Sequence, residues 1–124
     1  MILDSGAIIA LSRGDRQARN FLDAARLEGA QVIVPSIVLT QTLRGGSRDA
    51  AIHQVLRLGY VTFVGSRLAR RAGELLGQTG LNDAADALIM AEALRELPCV
   101  LLTSDPEDMR TLAGGRATVR IVSI

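Results

Sequence analysis

The sequence predicts an α/β domain, with a central, mostly parallel sheet of about five strands and helices on both faces. Three observations predict it. Short apolar, often β-branched runs recur at 2–3, 31–35, 60–65, 99–104 and 118–124; segments of helical period fill the intervals; and no linker, repeat or low-complexity stretch interrupts the series. Strands that alternate with helices pair in parallel, because parallel neighbours need crossover connections and those are overwhelmingly right-handed. At 124 residues the chain is one domain, spanning 1–124.

Ile2 and Leu3 form the first strand and end at Asp4, after which "SGAIIALSR" is a short helix. "DRQARNFLDAARLEG" is a second helix, with Ala18, Phe21, Leu22 and Ala25 at helical spacing and Gly29 closing it. "QVIVP" is a continuous apolar run stopped by proline, the pattern of a strand covered on both faces. "SIVLTQTLR" resumes at helical period before the break at Gly45, Gly46 and Ser47. "RDAAIHQVLRLG" gives another helix and "YVTFVG" the third strand. "SRLARRAGELLGQTG" follows as a helix with Arg67, Arg70, Arg71 and Glu74 on its polar side. "NDAADALIMAEALREL" is apolar around much of its circumference, which places it centrally. "CVLLTS" is the fourth strand, "DPEDMRTLAGG" a short helix, and "TVRIVSI" an alternating strand of edge type.

Composition narrows the function classes. Hydrophobic residues make up 48% of the chain and charged ones 22%, and the apolar bursts are too short to span a membrane, so a soluble protein is expected. The chain opens directly on a strand, with no room for an export leader before Asp4. Its single cysteine, Cys99, lies in an apolar run and cannot form an internal disulfide, which fits a reducing cytoplasm. The net charge of +1 excludes a globally basic nucleic-acid binder, so any grip on RNA or DNA is local. All fourteen basic residues are arginine, a bias that genome composition explains as readily as a need for phosphate forks.

Three aspartates stand where apolar runs give way to helices: Asp4, Asp86 and Asp105. In a parallel sheet the site lies beyond the carboxyl ends of the strands, where Asp4 and Asp105 fall. Each has a simpler reading, since an aspartate N-cap stabilises a helix by about 1 kcal/mol. Asp4 could cap the helix from Ser5, while Asp105, with Pro106 after it and Asp108 three residues on, has the form of a capping box. Asp83 and Asp86 are spaced to share one face of the apolar helix. One cap suffices there, so Asp86 points to a cation, and Asp83 is either the N-cap or an outer ligand.

Carboxylate oxygens without a histidine or cysteine cluster select hard ions such as Mg²⁺ or Mn²⁺ over Zn²⁺. Carboxylates around one or two such ions hydrolyse phosphodiesters: the ion lowers the pKa of water and neutralises the leaving oxyanion, and no side-chain nucleophile is needed. Other chemistries lack their residues. The sole histidine, His53, lies in an amphipathic helix, and there is neither a GxxxxGK[ST] loop nor a GxGxxG after the first strand.

The segments "ILDSGAIIAL", "VIVPSIVLTQTLRGG", "DAADALIMAEAL" and "VLLTSDPEDMRTL", in this order and spacing, resemble the signature segments of PIN domains, which are Rossmann-like. The likeness covers nearly the whole chain and is closest to the toxin nucleases of bacterial VapBC toxin and antitoxin modules. The resemblance implies a Mg²⁺-dependent ribonuclease in which Asp4, Asp86 and Asp105 match the family's acids, with Asp83 nearby, and Thr103 and Ser104 match small hydroxyl positions that order the pocket. It also implies attack by a metal-activated water, products with a 5′-phosphate and 3′-hydroxyl, a homodimer, and silencing by a cognate antitoxin. Arginines near the pocket would hold neighbouring phosphates, with Arg13, Arg16, Arg44 and Arg48 as candidates. With only Phe21, Tyr60 and Phe63 as aromatics, base stacking adds little.

One position departs from the family pattern: Gln41 stands where a glutamate is usual. Its amide oxygen can still coordinate a cation or a water, but without charge, so weaker metal binding is expected unless Asp83 compensates. Glutamate at 41 is expected to raise cleavage or lower the metal requirement. Gln41 also keeps open an alternative, a PIN-like domain that has lost catalysis and serves as a binding or regulatory protein. A receiver-like module is disfavoured, since it needs a lysine at the pocket and the chain has none.

Overall fold

The computed structural model describes residues 1–116 and 118–124, in which five strands and seven α-helices alternate. They are β1 (Ile2–Leu3), α1 (Ser5–Ser12), α2 (Arg16–Leu27), β2 (Ile33–Pro35), α3 (Ile37–Thr42), α4 (Ala50–Leu56), β3 (Tyr60–Thr62), α5 (Ser66–Thr79), α6 (Ala84–Arg95), β4 (Cys99–Thr103), α7 (Pro106–Ala113) and β5 (Val119–Ser123). A 3-10 turn, Ser47–Asp49, leads into α4.

The sheet has the order β3-β2-β1-β4-β5, and every pairing is parallel. The expectation of a mostly parallel sheet is thus met without an antiparallel member, because α7 supplies β5 with a crossover as well. The chain steps outward from β1 through β2 to β3, then crosses back to β4 and outward to β5. With right-handed crossovers, this reversal puts α1 to α4 on one face and α5 to α7 on the other. Packing agrees: α1 rests against α2, α3 and α4, and α6 against α5 and α7.

The centre of the sheet is dry. Ile2 stands opposite Ile33 and Leu101, and Leu3 opposite Leu102, all almost completely enclosed. Each such side chain contributes about 1.5–3 kcal/mol by leaving water. The predicted central helix is α6, which buries Ala87, Ile89, Met90, Ala91, Glu92 and Ala93 between its neighbours. Cys99 is buried with its thiol donating to the Ala93 carbonyl oxygen at 3.3 Å, and burial pushes that thiol up to about 11, so it packs as a small apolar residue.

Helix α3 and strand β3 end before their sequence patterns do. Helix α3 stops at Thr42 because the Asp49 carboxylate accepts from the amides of Arg44 (2.9 Å) and Gly45 (2.7 Å), giving the backbone an alternative to another helical turn. Gly45 takes the left-handed conformation, φ +85°, that this loop requires. Strand β3 pairs only over Tyr60–Thr62, since its partner β2 ends at Pro35, and Phe63 is left 83% exposed.

Candidate metal centre

The reversal of strand order falls between β1 and β4, which is where parallel sheets open a crevice at their carboxyl ends. Asp4 leaves β1 there, its amide continuing the ladder to the Leu102 carbonyl oxygen at 3.2 Å. Asp105 follows β4 by two residues, and Gly6 sets the closeness of the two chain segments. A Cβ on Gly6 would lie 1.8 Å from the Ser104 Oγ and 2.6 Å from its Cβ, so only glycine lets α1 start this near the end of β4.

Three helices begin at this crevice, and their leading aspartates do different work. Asp4 caps α1, its Oδ1 accepting from the Ala7 amide at 2.7 Å. Asp83 caps α6, its Oδ1 accepting from the Asp86 amide at 3.0 Å. Asp105 occupies the cap position of α7 but makes no capping hydrogen bond. Its amide donates instead to the Thr103 Oγ at 2.9 Å, so the capping box anticipated with Asp108 does not form and both carboxylates are free.

Carboxylate oxygens of Asp86, Asp105 and Asp108 lie within 4.8 Å of one another. Asp108, in the first turn of α7, joins the cluster where the sequence had given it only a capping role. The signal that could have found it is the Asp105-x-x-Asp108 spacing, the same as that of Asp83 and Asp86. Asp4 lies beside this trio rather than within it, 5% exposed. Burial raises its carboxyl above the ordinary value, opposed by hydrogen bonds from the Thr103 hydroxyl and the Ala7 and Ser104 amides.

Asp86 is the electrostatic centre. Burial first, and then the charges of Asp83, Asp105, Asp4 and Asp108, push its carboxyl up from 3.8 to about 6. The positive ends of α1, α6 and α7, each about half a charge, offset part of the repulsion. A divalent cation would offset the rest. The donor set fits a hard ion, since the trio and Asp4 offer only carboxylate oxygens and their neighbours Thr103 and Ser104 only hydroxyls.

Gln41 lies on α3, which packs against α1 and α6, and lines a cleft of about 520 Å³ with Ser12, Arg13, Arg44, Arg48 and Asp49. Its Oε1 is buried without a hydrogen-bond partner. Three of the four arginines singled out as phosphate contacts thus share one cleft, whereas Arg16 is exposed at the start of α2.

The PIN domain family model matches residues 1–114. No protein of curated function matches. Among solved structures, the chain is similar to VapBC2 from Rickettsia felis bound to a DNA fragment from their promoter, with a TM-score of 0.77 at 15% identity over 99% of this chain and 97% of that one. A toxin-antitoxin complex from Klebsiella pneumoniae gives 0.71 at 22% identity, covering 99% and 98%. VapBC-1 from nontypeable Haemophilus influenzae gives 0.68 at 15%, covering 98% and 96%. At these identities the likeness is one of fold, and it agrees with the family match in covering β1 to β4, the crevice and all of its acids. The chain belongs to the PIN domain family.

Proposed function

We propose that this protein is a divalent-metal-dependent ribonuclease, the toxin of a VapBC-type toxin-antitoxin pair. The observation that carries the reading is the free, mutually close trio Asp86, Asp105 and Asp108 beside buried Asp4, at the switch point of a PIN-family sheet. The fold neighbours are VapBC and toxin-antitoxin complexes, which supports a cognate antitoxin as partner. A homodimer and a cytoplasmic location belong to the same reading. Among the described residues no helix is long and apolar enough to cross a membrane.

Asp4, Asp86 and Asp105 hold Mg²⁺ or Mn²⁺, with Asp108 as a further carboxylate. When bound, the cation supplies a water of lowered pKa and neutralises charge on the leaving oxygen. Asp83 contributes by fixing the first turn of α6 and hence the position of Asp86. Thr103 orders both sides of the crevice, through the Asp105 amide and the Asp4 carboxyl.

The test is cleavage of single-stranded and hairpin RNA with Mg²⁺ or Mn²⁺ against a chelator control, in the wild type, Asp4→Asn and Asp105→Asn. Metal-dependent cleavage in the wild type and its loss in both variants, by about a hundredfold or more, is the expected outcome. Cleavage that survives chelation or persists in Asp4→Asn would refute the metal mechanism. No cleavage of any RNA would leave the catalytically silent PIN domain as the correct reading.

A further inference from the structure

We propose that the outer edge of β5 takes up an extended segment of a partner protein as a further strand, and that this segment alternates acidic with apolar side chains. The proposal is independent of the ribonuclease reading.

Strand β5 is the last of the sheet and pairs only with β4. The Cys99 amide donates to the Thr118 carbonyl oxygen at 3.1 Å, and the Ile124 amide donates to the Thr103 carbonyl oxygen at 3.0 Å. Even-numbered positions of β5 therefore turn their backbone groups toward β4, while the N–H and C=O groups of Ile121 and Ser123 point away from the sheet. Natural sheets blunt such an edge with proline, a bulge or a very short strand. Strand β5 has none of these: it pairs residue for residue over Val119–Ser123, and three of its five residues are β-branched. The opposite edge, β3, pairs only over Tyr60–Thr62.

A cleft opens on each face of this edge, and the alternation of the strand divides them. On the α7 face, Val119, Ile121 and Ala113 give an apolar lining, with Arg110 and Arg116 beside it, to a cleft of about 360 Å³. On the other face, Thr118 and Arg120 line a cleft of about 380 Å³ together with Val100 and Pro98. An added strand alternates as well, so every second side chain would enter the apolar cleft and the others would pass Arg120.

Charge selects the occupant. Arg110, Arg116 and Arg120 make no salt bridge among the described residues, and Glu28 is the one carboxylate lining either cleft. Arg116 is also held in place, its guanidinium donating to the Ala113 carbonyl oxygen at 3.0 Å. A second copy pairing through β5 would bring two sets of these arginines together about one twofold axis, and like charges across a ladder destabilise it. A segment bearing carboxylates meets all three with opposite charge, and its apolar side chains cover the half-buried Ile121.

Fluorescence anisotropy tests this with a labelled peptide of about nine residues alternating Glu and Val, long enough to span β5 at roughly 3.3 Å per residue. The peptide should bind, and the same peptide with Lys in place of Glu should bind at least about tenfold more weakly. Methylating the backbone nitrogens of two adjacent central residues blocks both edges of the peptide without changing its charge, and should also weaken binding by about tenfold. Arg110→Glu and Arg120→Glu should each weaken it by about threefold to tenfold, whereas Arg57→Glu, beside the opposite edge strand, should leave it unchanged. Ser123→Pro removes an outward N–H and none of those donated to β4, so it should weaken binding in a protein that still unfolds cooperatively. The methylated peptide tests the ladder on the unaltered protein. Hydrogen exchange followed by NMR should show the Ile121 and Ser123 amides slowed at saturating peptide. Binding indifferent to the methyl groups would reduce the arginines to a charged patch and overturn the added strand. Displacement of the peptide by polyuridylate as readily as by unlabelled peptide of equal charge would do the same. Absence of binding to the wild type, or dimerisation of the wild type that Ser123→Pro abolishes, would overturn the acidic partner.

Discussion

Replacing Asp86 with asparagine should stabilise the metal-free protein. The displacement of its carboxyl from 3.8 to about 6 corresponds to about 3 kcal/mol at 1.36 kcal/mol per pH unit. Asp86 is only half-buried, so solvent screening reduces the effective figure to about 1–2 kcal/mol. The sign follows from linkage: between pH 3.8 and about 6 the folded state holds a proton that the unfolded state has released, so stability falls as pH rises across that window. Above it, the wild type carries the full cost of an ionised Asp86, and Asp86→Asn does not. Urea denaturation followed by circular dichroism, in chelator at pH 7.5, should show the variant more stable by about 1–2 kcal/mol, or about 4–8 °C in Tm. The difference should shrink toward pH 4. Added Mg²⁺ should reverse the order, because a cation at 100 times its Kd stabilises the wild type by about 2.7 kcal/mol and the variant far less. A variant less stable than wild type in chelator, with an unchanged pH profile, would refute the electrostatic account. Equal stabilisation of both proteins by Mg²⁺ would refute the placement of Asp86 at the cation.

Two further outcomes follow from the packing. Gly6→Ala forces its Cβ into Ser104 and should spread the start of α1 from the end of β4, costing about 1–3 kcal/mol and at least tenfold in RNA cleavage; Ser104→Gly in the same chain should recover most of the stability, and no effect of Gly6→Ala on cleavage would refute the close approach. Glu92 is wholly buried, with one oxygen accepting from Arg95 at 2.6 Å and the other, Oε2, unpartnered. Arg95→Ala should therefore destabilise by about 1–3 kcal/mol, whereas Glu92→Leu, which removes the charge itself, should be neutral or stabilising; equal losses in both would show that the pair is a net contributor.

The elements were legible because their signals are local. "QVIVP" reads as a doubly covered strand, and Ile33 and Val34 are buried in one, with Val32 buried just before it. "DALIMAEAL" reads as a central helix and proves to be one. The boundaries of α3 and β3 were less legible, because a carboxylate from Asp49 ends the first and the termination of β2 at Pro35 limits the second. In the site, the aspartate motifs were visible while their roles were not. Asp83 and Asp105 occupy equivalent positions before helices, yet the Asp83 carboxylate accepts from the Asp86 amide whereas the Asp105 carboxylate makes no capping hydrogen bond.

The sequence by itself determined the alternation of strand and helix, the parallel sheet and the end of that sheet where acids would gather. Backbone periodicity and crossover handedness depend on residue type and order alone. Only the tertiary structure decided which carboxylates meet: Asp108 joins Asp86 and Asp105, Asp4 lies buried beside them, and Gln41 lines the arginine cleft. Carboxylate contacts depend on separations of a few ångströms between α6, α7 and β4, elements brought together by core packing rather than by their own sequences.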